Sequence, residues 1–341
     1  MLMPELAVIV VNYNTCDLLA RCLQSVYASR TSTHFHVIVV DNRSTDGSAD
    51  MVRSRFPQAT LILSDRNGGF GYANNLALRW LAGQGGLPSH AHGTAAPGIT
   101  LAGPPQGAQP PEEIPDRADL HSPFNFPCDY VLFLNPDTVL PPEALDLTVR
   151  FLEAHPEAGI VGPKVVKPDG SLDMACRRSF PTPLSSFFKL TGLSRLFPHS
   201  RLIARYNLTY LPDDQTAEVD SVMGAFMLVR AGALAQAGLF DERFFMYGED
   251  LDLAYRIKAR GWKVFYYPAV EILHHKGASS RKQSQRSIRE FYRAMHIFYR
   301  KHYARQYNGL INAAVTLGIT LRGMLALIQN ALRPTERKRV T

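Results

Sequence analysis

Three times within its first 82 residues, the chain runs a short stretch of aliphatic and β-branched residues into a polar or glycine-rich loop and then into helical spacing. Leu6 to Val11 ends at Asn12-Tyr13-Asn14. The segment Asp17 to Tyr27 that follows carries Leu18, Leu19, Cys22, Leu23 and Val26 on one helical face. Val37 to Val40 ends at Asp41 to Gly47 and precedes a helix predicted over Ser48 to Phe56; Thr60 to Leu63 precedes the loop Asn67-Gly68-Gly69-Phe70-Gly71 and a helix over Tyr72 to Leu81. Unbroken apolar strands alternating with helices predict an α/β fold on a mostly parallel, doubly wound sheet, whose strands are covered on both faces.

The rhythm stops at Gly83. Residues Gly83 to Pro127 are rich in Gly, Pro, Ala and His without lasting periodicity, and read as a long, mostly disordered insertion whose removal is expected to spare the fold. The pattern resumes with a strand over Tyr130 to Leu134, a helix over Pro142 to His155 and a strand over Gly159 to Val166. Arg177 to Val219 reads as an irregular, substrate-facing segment with aromatic and basic residues. After it come a strand over Met223 to Val229, a short helix over Arg230 to Ala237, a helix over Asp250 to Arg260 closed by Gly261, and a strand over Lys263 to Tyr267. The four cysteines fit neither a zinc site nor a disulfide framework, and the N-terminus shows no signal peptide, so a reducing, cytoplasmic setting is expected.

Five constellations carry chemistry. Asp41 and Asn42, with Ser44 and Asp46, end the second strand, where an acid can accept hydrogen bonds from a base or ribose or simply cap its own turn. In the loop around Asn67 and Gly69 the glycines let backbone approach a phosphate at a helix N-terminus, or form a plain loop-to-helix junction; it is not a dinucleotide fingerprint. Asn135-Pro136-Asp137 places a carboxylate after an apolar strand, as a hard cation bridging to phosphates requires. Asp241, Glu242, Glu249 and Asp250 lie among aromatic residues before a helix; acids there favour the helix dipole, and one in such surroundings suits a general base. Asp252 points away from Asp250 and reads as structural. His274 and His275 follow the strand-like Val270 to Leu273, and only one of the two can face the site.

Taken in order, Val11-Asn12-Tyr13-Asn14, Val40-Asp41-Asn42-x-Ser44, Asn67-x-Gly69-Phe70, Asn135-Pro136-Asp137, Tyr247-Gly248-Glu249-Asp250-x-Asp252, Gly261-Trp262 and His274-His275-x-Gly277 resemble family 2 glycosyltransferases, within them the bacterial rhamnosyltransferase-like branch. The resemblance covers roughly residues 5 to 280 and implies a GT-A (Rossmann-like) fold. It also implies an inverting, single-displacement transfer from a nucleotide sugar with Mg²⁺ or Mn²⁺. Under it Asn12 and Asp41 hold the base and ribose, and Asn67 and Gly69 border the nucleotide site. Asp137 is the metal-binding acid of an Asp-x-Asp motif whose first acid is here Asn135. Asp250 is the base, Glu249 shapes the acceptor site, and His274 contacts the metal or the diphosphate. The resemblance implies a role in surface polysaccharide assembly, with rhamnose from dTDP-rhamnose as first donor and another UDP- or dTDP-sugar as second, and a glycan or polyprenyl-linked acceptor. A non-catalytic nucleotide- or carbohydrate-binding protein is the reading from another class.

The net charge of +7 is carried by the tail. Residues 276–341 hold 14 Lys and Arg against two acids, whereas residues 1–275 sum to −5. Asn308 to Leu332 is apolar apart from Arg322 and scattered polar residues, nearly long enough to span a bilayer, but a central arginine makes spanning costly. The expectation is a catalytic domain over residues 1–280 and a basic, helical, membrane-associating extension over 281–341. That extension would lie on the anionic inner face of the cell membrane or pack on the domain. No nucleic-acid motif accompanies the basic tail.

Overall fold

The computed structural model describes residues 5–84, 99–101, 124–275 and 284–332. Strand β1 (Glu5–Asn12), helix α1 (Cys16–Tyr27), β2 (His34–Asp41), α2 (Ser48–Arg55), β3 (Thr60–Ser64) and α3 (Phe70–Ala82) follow one another as the apolar rhythm predicts. The three strands are parallel, and β1 is buried from Leu6 to Asn12. Strand β4 (Ile99–Leu101) pairs parallel with β3 at the sheet edge. It is an ordered piece of the stretch read as mostly disordered, and β-branched Ile99 and Thr100 suit a strand. Phe126, also assigned to that insertion, is buried in the core. The expected disorder of 85–98 and 102–123 lies outside the described residues, and an excision that respects the fold must spare β4 and Phe126.

Strand β5 (Tyr130–Leu134) pairs with β1 on the side away from β2, so the chain order switches direction between β1 and β5. Then come β6 (Thr138–Val139), α4 (Ala144–Ala154), β7 (Ala158–Val166), β8 (Arg177–Arg178), α5 (Pro183–Leu190), α6 (Leu193–Leu196), β9 (Ala217–Val219), β10 (Ser221–Val222), β11 (Phe226–Arg230), α7 (Ala231–Ala237), α8 (Glu249–Lys258) and β12 (Lys263–His274). The main sheet reads β4-β3-β2-β1-β5-β11-β7-β12-β6, with β9 beside β12. Strand β11 is antiparallel to both β5 and β7. The segment between β7 and β11 therefore leaves and re-enters at one edge, the edge where the parallel strands end. Strand β12 joins the two strand-like runs read from the sequence. Its register shifts between Tyr267 and Glu271, around Pro268, which has no N–H for the ladder.

Helices α9 (Ser284–His302) and α10 (Gly309–Leu332) form a hairpin. The Tyr299 hydroxyl donates to Asn312 Oδ1 at 2.6 Å, and His296 Nε2 lies 3.3 Å from Thr320 Oγ1. Gly323 lies under Tyr292, where a Cβ would come within 3.1 Å of the ring. Helix α9 also packs on α8 and the loop before it: Phe298, Tyr299 and Tyr303 share an apolar cluster with Phe244 and Leu251. Between α8 and α9 Asp252, fully buried, meets Lys301 Nζ at 2.7 Å and His302 Nε2 at 2.8 Å, and along α8 Arg256 Nε at 2.9 Å. Burial works against its charge, but Arg256, His302 and Lys301 hold its carboxyl well below the usual range. Asp252 is structural, as its helical offset from Asp250 implied. Removing one partner of a buried charge network strands the others, so Asp252→Ala should cost about 3–5 kcal/mol in urea unfolding; a loss below about 1 kcal/mol, the scale of exposed pairs, would contradict this placement.

Candidate active site

The predicted residues converge at the carboxyl ends of the parallel strands, over the β1/β5 switch, where open α/β sheets hold ligands. Asn12 and Asp41 are the last register pair of β1 and β2. Asn12 Nδ2 donates to Ser44 Oγ at 3.0 Å and to Asp41 Oδ2 at 3.3 Å, while Asp41 Oδ1 accepts from Ser44 N at 2.8 Å. Asp41 thus forms the turn that one sequence reading anticipated, and that turn in turn fixes Asn12. Asn14 and Arg43 beside it adopt left-handed backbone, at φ 53° and 67°. Non-glycine residues hold that conformation only where the surroundings enforce it.

Asn42, named beside Asp41 in the sequence but given no role of its own, joins this turn to the glycine loop. Its Nδ2 donates to Asn67 Oδ1 at 3.0 Å and its Oδ1 accepts from Gly68 N at 3.2 Å. The loop's glycines are needed for protein contacts. A Cβ on Gly69, at φ 91°, would stand 2.1 Å from the Phe245 carbonyl oxygen, and one on Gly68 would strike the Tyr72 ring. Phe70 N, the first amide of α3, donates to that same Phe245 carbonyl at 2.9 Å. The glycines therefore lock the α3 entry onto the loop before α8, the loop-to-helix junction that one of the two sequence readings anticipated.

Asn135 and Asp137 follow β5. Asn135 N donates to the Ala225 carbonyl at 3.0 Å, and Asp137 Oδ1 lies 3.1 Å from His274 Nε2 at the end of β12. Asn135 Nδ2 is 3.5 Å from the same ring nitrogen. Asp173, buried, lies 3.9 Å behind His274 Nδ1. Burial alone would lower the His274 pKa, but hydrogen bonds and charge from Asp137 and Asp173 outweigh it and raise it to about 9. His274 is therefore the one of the histidine pair that faces the site; His275 contributes its N–H to the Asp137 carbonyl at 2.8 Å.

Asp250 lies in the first turn of α8, behind Tyr247 and Gly248, both left-handed at φ 72° and 84°. Its Oδ2 accepts from Arg178 Nη2 at 2.6 Å and Gly224 N at 3.1 Å, and its Oδ1 accepts from Leu251 N at 2.7 Å. A carboxylate offers about four lone-pair sites; three donors are in place, leaving one for a further hydroxyl. Gly224 precedes Ala225, so consecutive residues hold Asp250 and Asn135. Arg178, buried on β8, is the principal residue the sequence reading missed; the doublet Arg177-Arg178 in an otherwise aromatic segment was its only signal. Arg177 is spent on structure, donating to the Pro212 and Leu211 carbonyls and stacking over Tyr266.

Glu249 is buried beside Asp250, and its Oε2 has no hydrogen-bond partner among the described residues. Burial first, and the Asp250 charge second, raise its carboxyl to about 8. The folded chain then keeps a proton that the unfolded chain releases above its ordinary value of 4.5, so stability contributed through Glu249 falls as pH climbs from 4.5 to about 8. Glu249→Gln should therefore raise Tm more at pH 8 than at pH 5; an equal change at both would contradict a buried neutral Glu249.

Residues 4–293 match the sequence model described as Glycosyltransferase like family 2. An N-acetylglucosaminyl-diphospho-decaprenol L-rhamnosyltransferase from Mycobacterium tuberculosis is 28% identical over 343 residues, covering 98% of this chain and 96% of that protein. The rhamnosyltransferase WbbL of Escherichia coli is 29% identical over 164 residues, 47% of this chain and 58% of WbbL. Among solved structures, the mannosyltransferase PcManGT from Pyrobaculum calidifontis, in complex with GDP-Man and Mn²⁺, is 18% identical. It superposes with a TM-score of 0.50, covering 98% of this chain and 77% of that one, a likeness of fold.

Proposed function

This chain belongs to glycosyltransferase family 2, with the GT-A fold, and from that premise we propose that it transfers a sugar with inversion from a nucleotide diphosphate to a polyprenyl-linked glycan in surface polysaccharide assembly. Rhamnose from dTDP-rhamnose is the first donor and another UDP- or dTDP-sugar the second, on the strength of the full-length likeness to the mycobacterial rhamnosyltransferase. The observation that carries the catalytic reading is the Asp250 carboxylate, fixed by three donors with one lone-pair site left over. In that role Asp250 takes the proton of the acceptor hydroxyl as it attacks the anomeric carbon and the nucleotide diphosphate leaves from the opposite face. Glu249, neutral beside it, shapes the acceptor side. Asn12 and Asp41 hold the base and ribose, and Asn67 and Gly69 border the nucleotide.

A divalent cation fits at Asp137 and His274. The ring's Nε2 faces the Asp137 carboxylate at 3.1 Å, and ligation there would require the imidazole to give up its Nε2 proton. No three His, Cys, Asp or Glu residues cluster for a metal among the described residues, so donor phosphates and water would complete the shell. Asn135, in place of a first acid, lends no charge to it. A bound Mg²⁺ or Mn²⁺ supplies charge neutralisation to the leaving diphosphate.

We assign residues 1–280 to catalysis and 281–341 to membrane attachment. Helix α10 is long and apolar enough to cross a membrane, with 17% of its apolar window buried. Its pairing with α9 argues for lying on the surface instead, because spanning would drag Arg289, Arg293 and Arg300 into lipid. The outward Leu317, Leu321, Met324 and Ile328 would enter the interface, with the exposed arginines of α9 facing anionic headgroups. Two measurements test the reading. Given dTDP-rhamnose, Mg²⁺ and N-acetylglucosaminyl-diphospho-polyprenol, the purified chain should move labelled sugar into the organic phase; no transfer from any nucleotide sugar would defeat it, while a preference for a UDP-sugar would change the donor alone. Truncation after Tyr307, which keeps α9, should abolish co-sedimentation with anionic vesicles, and unchanged binding would remove α10 as the anchor.

A further inference from the structure

A cavity of about 420 Å³ opens between α5, α9 and α10, a volume in the range that takes an organic ligand of drug size or larger. Its walls are almost entirely apolar: Pro183 and Phe187 from α5, Met295 and Phe298 from α9, Val315 and Ile319 from α10. One cation breaks this lining. Arg322 borders the cavity, and its Nη1 is buried with no hydrogen-bond partner among the described residues. A buried guanidinium nitrogen in apolar surroundings is costly until an anion meets it.

The cavity is also close to the chemistry. Pro181, on its wall, is three residues beyond Arg178, the clamp on Asp250; three residues of chain span at most about 11 Å. Phe180 between them packs on Phe298, another wall residue, and on Tyr255 of α8. The opposite wall is α10, whose outer face exposes Leu317, Leu321 and Met324. An elongated apolar molecule carrying an anionic head could thus reach the cavity from a lipid surface and present its head toward Asp250.

We infer that this cavity is the acceptor's lipid subsite: it takes the isoprenoid chain next to the diphosphate, and Arg322 pairs with a phosphate oxygen. The inference rests on the polyprenyl-linked acceptor of the preceding reading, and adds the place where that acceptor is held. It also gives Arg322 a purpose other than to oppose membrane insertion.

Binding to the free full-length chain tests this without any donor. The probe is farnesyl diphosphate, measured by calorimetry beside inorganic diphosphate and farnesol. Farnesyl diphosphate should bind, and each fragment should bind at least about tenfold more weakly, because each keeps only half of the contacts. Gly318 lines the cavity and has open space where a Cβ would project. Gly318→Trp should therefore fill the cavity without disturbing the helix and weaken farnesyl diphosphate by about tenfold or more. Arg322→Gln should weaken farnesyl diphosphate by a similar factor, about tenfold, and leave farnesol unchanged. Absence of farnesyl diphosphate binding, or binding indifferent to both substitutions, overturns the inference. A change of oligomeric state in Gly318→Trp with lipid affinity unchanged overturns it in favour of a second copy on this face. Lipid binding here without transfer to polyprenyl acceptors would sink the functional reading alone, and transfer without lipid binding here would sink the subsite alone.

Discussion

The buried pair of Arg178 and Asp250 organises the catalytic half of this molecule. At 2.6 Å it ties β8, which is laddered to β10 at the entrance to β11, to helix α8, which neither strand pairs with. Arg178 Nη2 also donates to the Val222 carbonyl at 3.0 Å, and Asp250 receives Gly224 N, so one ion pair fixes the turn into β11 from both sides. The next residue along, Ala225, holds Asn135 and thereby the loop that carries Asp137. A buried pair of this kind adds little net stability, because desolvation offsets the attraction, but losing either member strands the other charge. Its contribution is to geometry: it sets where the one remaining lone-pair site of Asp250 points.

A second charged node stands behind the first. Asp252, two residues on, faces away from the site and receives Lys301, His302 and Arg256. Asp241 joins it through Lys301 at 2.7 Å, so the loop before α8 and the helix hairpin meet at one ammonium. Neighbouring acids thus divide the labour: Asp250 serves the site, while Asp252 ties α9 to the helix that carries it. The hairpin that would meet the membrane is coupled through the same helix to the proposed base.

The alternation of strands and helices was legible because buried parallel strands and amphipathic helices impose simple periods on the chain, and β1 to α3 fall where those periods place them. The place of Asn12, Asp41, Asp137, His274 and Asp250 at one edge of the sheet was legible because each ends an apolar strand or lies beside the start of a helix. Arg178 was not, since the local doublet with Arg177 does not say which arginine is used; its role depends on a partner 72 residues away. The neighbour that Gly69 makes room for was hidden for a similar reason. A glycine signals close approach, but only the fold shows that Phe245 is what approaches. Strand β4, three residues inside a stretch of turn-forming composition, is too short to show a period.

The central claim is that Asp250, held by Arg178 and Gly224, takes the acceptor proton. Single-turnover transfer by Asp250→Asn, with donor affinity measured on the same preparation, tests it most directly. The amide keeps the shape of the side chain but not its basicity, so the account predicts a rate lower by about 10² to 10⁴, the range of general-base assistance, with donor affinity retained. Transfer within about tenfold of the unaltered chain, less than such assistance supplies, would contradict it.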